Sequence, residues 1–380
     1  MSALLLYGDT ETSASMRHEV PIAVGDPFLL AQDGQRTWIM CSGLERDRMA
    51  RLRPDAELLA TDDLGFHELL ESGLSRDQLM LELASRAAAR TQISEAIVEF
   101  EFPLGLAERL RADGIELTID DDAVKARRRA KSRAELAGVR RAQRAAEAAM
   151  TAAAGLLSEA EVAGDTLVLE AEPLTAERVR AAMRDACWQR GALLGPEAIV
   201  ASVWQGFGHD PGSGPLPAGL PIQVDVWPRD DESACWADMT RTFIVGPAPP
   251  DEVVRQQELV REALDGARAA ARPGITGREL HAGCCEIFER AGYRTQRTGP
   301  GEDRNEGFQF SLGHGVGLQV HEAPALGQTG RSPLVVGDVI AVEPGLWQRD
   351  VGGVRLEDLL LITDDGCEVL TEFPYDTRPS

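Results

Sequence analysis

Several ionisable residues in the second half of the chain stand where ionisable residues are costly, and they constrain the fold more than any other feature. Glu343 closes the apolar run VVGDVIAVEPGLW directly before Pro344-Gly345, and Arg355 and Glu357 alternate along another, VGGVRLEDLLLIT. An acid buried there needs a partner. Asp225 ends the strand-like LPIQVDVW, and after an acid-rich turn the chain returns as CWADMTRTFIVG with Asp238 on a second strand. A hairpin brings those two carboxylates together, where they repel unless one takes up a proton or a cation compensates. Taken alone, that pair could equally be two exposed hairpin acids. SLGHGVGLQVHEAP adds His314 and His321 among small residues that permit close backbone approach. Inward-pointing ionised groups on three separate strands point to a common charged centre. One imidazole and four carboxylates form an oxygen-rich set, suited to Mn, Fe, Co or Zn rather than a soft metal and large enough for two ions.

A chain of 380 residues with 43% hydrophobic and 27% charged residues can bury sizeable cores and is expected to form two domains. The formal charge of -23 argues against nucleic acid and anionic membranes as partners. No apolar run approaches the roughly 20 residues that cross a bilayer. The start MSALLLYGDTETS lacks the marks of a secretory signal, so residues 3–7 read as a strand. The six cysteines show no CxxC pairing, which fits a reducing cytoplasm rather than a disulfide framework or a thiolate zinc site.

Residues 1–125 and 129–380 read as two domains of different character. In the first, PFLLAQDGQRTWIMCS reads as two strands turning at Asp33-Gly34, and EAIVEFEF and IELTID as further strands. ERDRMARL, SRDQLMLELASRAAAR and GLAERLRADG read as helices between them. This is an α/β pattern, and its histidines, His18 and His67, are isolated. The basic stretch KARRRAKSR reads as a solvated linker, since the chain around it is acidic. Capping boxes at Ser132/Glu135 and Thr276/Glu279 open two helices, and His281, Cys284 and Cys285 within the second read as packing residues.

The order Asp225, then Asp238 in D-x-T-R-T, His314 and His321 in H-G-x-G-x-x-x-H-E, Glu343 in E-P-G, and Arg355 and Glu357 in R-x-E-D resembles the pita-bread metallopeptidases. That family contains methionine aminopeptidases, Xaa-Pro aminopeptidases, prolidases and creatinase. The resemblance covers residues 129–380, and the first half resembles the creatinase-type N-terminal domain, so it implies an α/β (α+β) fold with a creatinase-like N-terminal domain before a pita-bread catalytic domain. It further implies that Asp225 chelates one divalent ion, that His314 and Glu343 hold the other, and that Asp238 and Glu357 bridge both, Mn being the expected metal. Two such ions share a water and lower its pKa toward neutrality. Glu343 is then expected to shuttle the proton, His321 to steady the carbonyl oxygen, His209 in FGHDPG to contact the scissile amide or leaving group, and Arg355 to support the bridging acid and reach a substrate carboxylate.

The implied function is an Xaa-Pro aminopeptidase or dipeptidase acting on a small peptide or amide, as a cytoplasmic homodimer. Phe310 stands where proline-specific members carry a substrate-binding His, Trp227 replaces a common Gly, and SVWQGFGHDPGSGP lacks their usual Asn-Ala. These departures touch the substrate and leave the metal ligands intact. Two alternatives remain open: a relative acting on a non-peptide, in the manner of creatinase or dimethylsulfoniopropionate cleavage, and a non-catalytic pseudo-peptidase. The retained ligands weigh against the second.

Overall fold

The structure, a computed structural model, describes residues 2–202, 208–349 and 351–379 and divides into two compact units, Met1–Arg128 and Arg129–Ser380. In the first unit a six-stranded sheet runs in the order Ala56–Ala60, Thr37–Cys41, Phe28–Gln32, Ala3–Gly8, Glu95–Val98, Glu116–Ile119 among the described residues. The turn at Asp33-Gly34 forms as its chemistry dictates: Gly34 takes φ 88°, and the Asp33 carboxylate accepts from the backbone N–H groups of Gln35 and Arg36. The helix Arg76–Thr91 opens on a reciprocal capping box of Ser75 and Gln78 and buries Leu79, Leu83, Ala84, Ala87 and Ala88 in the core that also holds Leu5, Leu30 and Ile39 of the sheet. The strand expected from EAIVEFEF stops at Val98. Beyond it the chain turns, with the Phe102 N–H donating to the Glu99 carbonyl, and enters the helix Leu104–Ala112 behind Pro103.

The basic stretch is not a solvated arm. Arg129 forms a bidentate pair with Asp338, with Nε 3.0 Å from Oδ1 and Nη2 2.5 Å from Oδ2. Lys131 pairs with Glu322, and both side chains are only 3% exposed. Acids elsewhere in the second unit neutralise this charge, which a count of local basic residues cannot foresee.

In the second unit the helix Arg133–Glu159 starts at Ser132, whose hydroxyl accepts from Glu135 N–H while the Glu135 carboxylate accepts from Ser132 N–H. Its small face, Ala142, Ala145, Ala146, Ala149 and Ala153, packs in one core with the helix Ala176–Trp188 and with Val224, Val226 and Met239. The helices Asp251–Ala270 and Gly277–Arg290 cover a second core, in which His281, Cys284 and Cys285 are buried as packing residues. All six cysteines are free. Among the described residues, no helix is long and apolar enough to cross a membrane.

Between these helix pairs lie a three-stranded sheet (Ile199–Ser202, Ile222–Val226, Met239–Phe243) and a five-stranded sheet (Glu322–Leu326, Gly313–Gly315, Val339–Val342, Asp358–Ile362, Cys367–Val369). Val339 and Ala341 enter the first core while Ile340 and Val342 enter the second, which explains the unbroken apolar run before Glu343. The run containing Arg355 and Glu357 is not one strand. Gly352–Arg355 pairs with Gly345–Gln348, Asp358–Ile362 pairs with Val339–Val342, and Glu357 lies in the break between them. Its backbone is tied instead to the other sheet: Glu357 N–H donates to the Thr240 carbonyl at 3.1 Å, and Arg241 Nη1 donates to the Glu357 carbonyl at 2.7 Å.

Candidate metal centre

Strand periodicity sorts the residues that reach the centre. Ile222, Val224 and Val226 face the core, so Gln223 and Asp225 share the opposite face. Asp225 is in register with Thr240, and Asp238 lies immediately before the strand Met239–Phe243. His314 is the middle residue of Gly313–Gly315, and its neighbours must be glycine. A Cβ at Gly313 would fall on the Ala341 carbonyl oxygen, and one at Gly315 on that of Ala323. Glu343 follows Val339–Val342 directly.

The five residues converge. One ligand atom each from Asp225, Asp238 and Glu357 lie within 4.8 Å of one another; the same holds for His314, Glu343 and Glu357, and for Asp238, His314 and His321. His314 Nδ1 is 3.2 Å from the Gly315 carbonyl, which can only accept, so Nδ1 carries the proton and Nε2 presents a lone pair. That lone pair faces Asp238 Oδ2 at 3.7 Å and Glu343 Oε1 at 3.6 Å. Burial holds the His314 imidazole below its usual pKa, in keeping with a neutral ring. Acceptor therefore faces acceptor, an arrangement that a cation between them resolves.

The carboxylates carry the same signature. Burial, and then the charges of Glu357, Asp225 and Glu343, push the Asp238 carboxyl well above its ordinary range against the opposing pull of Arg355. Glu357 is raised likewise, by burial and then by Glu343 and Asp225. Burial also raises Glu343, with Arg355 opposing. Asp225 Oδ1 and Glu357 Oε1 are buried without a hydrogen-bond partner among the described residues. Four acids around one imidazole, with two orphaned oxygens, fit divalent cations in chemistry and in unmet bonding capacity.

Arg355 lies against Asp225, donates from Nε to Thr240 Oγ1 at 3.2 Å and approaches Glu343 Oε2 at 3.6 Å. Glu357 draws its support from Thr240, whose hydroxyl donates to Oε2 at 2.7 Å. The His321 ring stands edge-on to His314 with centroids 4.1 Å apart, and burial followed by His314 lowers its pKa. His209 is exposed and lines the same cleft of about 440 Å³ as His314, His321, Glu343 and Arg355.

Phe310 and Trp347 also line this cleft, whereas Trp227, which stands in place of a common Gly, is not among its described lining residues. Most of the segment before His209, residues 203–207, lies outside the described residues. Reading the sequence missed Thr240, Gln223 and Trp347. The first two were within reach, because they share strand parity with Asp238 and Asp225.

Geometry and donor set thus define a centre built for divalent cations inside a cleft open to a small substrate. A family model described as metallopeptidase family M24 matches residues 137–364, and the chain belongs to that family. Membership implies divalent metal ions, and the clusters above could hold them. Over 137 residues the chain is 42% identical to the Xaa-Pro dipeptidase of Pyrococcus furiosus, a stretch amounting to 36% of this chain and 36% of that protein. The match thus spans about a third of that relative's length. The prolidase from Pyrococcus horikoshii OT3 superimposes with a TM-score of 0.74 at 24% identity, covering 99% of this chain and 95% of that chain. The X-Pro aminopeptidase from Thermotoga maritima MSB8 gives a TM-score of 0.76 at 21% identity, covering 99% and 97%. The fold is therefore the mixed α/β fold of these proteins, an N-terminal unit followed by a pita-bread C-terminal unit.

Proposed function

We propose that the protein is a divalent-metal-dependent peptidase that releases the first residue of a small Xaa-Pro peptide, a dipeptide being the simplest substrate. The observation that carries this reading is the convergence of Asp225, Asp238, His314, Glu343 and Glu357, with lone pairs facing one another and two carboxylate oxygens left unpartnered. In this reading Asp225, Asp238, His314, Glu343 and Glu357 would together hold the ions, with Mn the first choice and Co, Zn or Fe compatible with the same donors. Ions bound there supply Lewis acidity, polarising the scissile carbonyl and bringing the pKa of a water toward neutrality.

The chain's own residues do the rest. Glu343, raised by burial, accepts a proton from the attacking water and returns it to the leaving nitrogen. His321, held neutral, donates to the carbonyl oxygen as negative charge develops. His209 at the open side of the cleft contacts the leaving group. Arg355 fixes Asp225 and Glu343, and a contact with a substrate carboxylate would compete with those pairs.

The first unit is read as the creatinase-type N-terminal domain (residues 1–125) and the second as the catalytic domain (129–380). The protein is read as a homodimer acting in the cytoplasm. The relatives named Xaa-Pro dipeptidase and X-Pro aminopeptidase support the peptidase reading. Protein freed of metal with a chelator and reloaded with Mn or Co is assayed on Xaa-Pro dipeptides, longer Xaa-Pro peptides and non-proline dipeptides. Metal-dependent release of proline from dipeptides is the expected result. Turnover confined to non-peptide amides, or none in the loaded protein, would overturn the assignment.

A further inference from the structure

Among the polar side chains lining the cleft, Gln223 and Ser311 are left unemployed by the chemistry above, and of these Gln223 is the buried one. Gln223 lies two residues before Asp225 on Ile222–Val226, so both point to the same face, about 6–7 Å apart along the strand. Ile222 and Val224 on either side are fully buried in the core, whereas Gln223 lines the cleft with 6% of its surface exposed. Its carboxamide makes no hydrogen bond with any described residue. The nearest hydroxyl across the strands is already committed: Thr242 Oγ1 donates to the Arg355 carbonyl at 3.0 Å and accepts from the Arg355 N–H at 3.1 Å. Its carboxamide, with two donors and an acceptor, opens to the cleft beside the centre, where water meets it in the free protein and a substrate that displaces this water must replace its hydrogen bonds.

We infer that Gln223 is a specificity-determining residue that hydrogen-bonds the side chain of the substrate residue on the N-terminal side of the scissile amide, favouring hydroxyl and carboxamide side chains. The inference rests on the peptidase reading given above. Its orientation follows from the proposed cut. The scissile carbonyl belongs to the residue on the N-terminal side of the amide, and that reading brings the carbonyl to the centre. The side chain of that residue is attached to the Cα next to the carbonyl, on the side of the centre where Gln223 shares the strand face of Asp225. Phe310, Leu346, Trp347 and Val354 supply apolar walls to the cleft. Between those walls a neutral polar side chain would find its partner in Gln223. A site that offers such a partner discriminates against the isostere lacking it, because the isostere displaces water from the carboxamide and leaves it unpaired.

Thr-Pro and Val-Pro are isosteric and differ in one hydroxyl; Asn-Pro and Leu-Pro form a second pair. For the Mn-loaded protein, kcat/KM is expected to favour Thr-Pro over Val-Pro, and Asn-Pro over Leu-Pro, by about tenfold. Gln223→Leu and the more flexible Gln223→Met should each bring both ratios to about one. A ratio within one preparation does not depend on its folded or loaded fraction, so partial misfolding cannot imitate the effect. Turnover with ratios near one in the unsubstituted protein, or ratios that survive both substitutions, would overturn the role of Gln223 and leave the peptidase reading standing. Absence of turnover on every Xaa-Pro dipeptide would remove both.

Discussion

Asp238→Asn is expected to lower metal affinity and turnover by more than about a hundredfold, beyond the ten- to hundredfold typical of residues that only support a ligand, and yet to stabilise the metal-free protein near neutral pH. The two effects share one cause. Asp238 is 5% exposed and sits among Glu357, Asp225 and Glu343, so its carboxyl is raised well above the ordinary value of 3.8. The sign follows from linkage. Below the ordinary carboxylate range both folded and unfolded chains hold the proton, and the group contributes nothing. As pH rises past 3.8 the unfolded chain releases its proton while the folded chain retains it. Stability then falls with each further pH unit until the raised folded value is passed. Asn keeps the shape and removes that loss. Metal does the opposite for the native residue: it displaces the proton, so affinity increases with pH, and metal at a hundred times its Kd adds about 2.7 kcal/mol of stability. Thermal melts from pH 4 to 8, with chelator and with Mn, separate these terms. The metal-free Asn variant should melt above the metal-free native protein at pH 7, converge with it at the acid end, and gain little from Mn. A variant that melts below the native protein at pH 7 and still responds fully to Mn would contradict the account.

Arg241→Met is expected to cost about 3–5 kcal/mol, the range for stranding one partner of a buried ion pair. Arg241 is 1% exposed and Asp358 is fully buried; Nη2 donates to Asp358 Oδ1 at 3.0 Å and to the Phe373 carbonyl, while Nη1 donates to the carbonyls of Thr240 and Glu357. The guanidinium also lies 4.4 Å from the Tyr375 ring centroid, and the Tyr375 hydroxyl donates to Asp358 Oδ2 at 2.7 Å. One side chain thus joins the strand that follows Asp238, the break that carries Glu357 and the C-terminal segment. Urea unfolding with and without Mn measures the cost, and metal affinity should fall too, because Glu357 loses a backbone restraint. Replacing both partners, with Arg241→Met and Asp358→Leu together, should recover part of the stability, since no buried charge is then left uncompensated. A single substitution costing less than about 1 kcal/mol would show that the pair is not what holds this junction.

Much of this centre was legible from residue order, because burial makes the signal local. An acid ending a two-sided apolar strand, as Glu343 does, has few explanations, and the glycines around His314 mark a strand gripped by neighbouring carbonyls. The capping boxes at Ser132 and Thr276 placed two helix starts for the same reason, since each is decided within four residues. What the sequence hid depended on distant partners. The basic stretch reads as solvated until Asp338 and Glu322 are brought to it from some 200 residues away. Glu357 reads as a strand residue until its backbone is seen bonded to Thr240 and Arg241 in another sheet. Trp227 looked like the bulky group at the cleft, yet the aromatic side chains lining it are Phe310 and Trp347. No periodicity argument chooses between tryptophans that sit in or beside strands of different sheets.

The most direct test of the centre is a calorimetric titration of metal-free protein with Mn²⁺ at pH 7.5, with bound metal counted by elemental analysis. The account predicts two ions per chain for the native protein, proton release on binding, and loss of both ions in the Asp238→Asn and Glu357→Gln variants. No bound metal, or two ions bound unchanged by those substitutions, would contradict it.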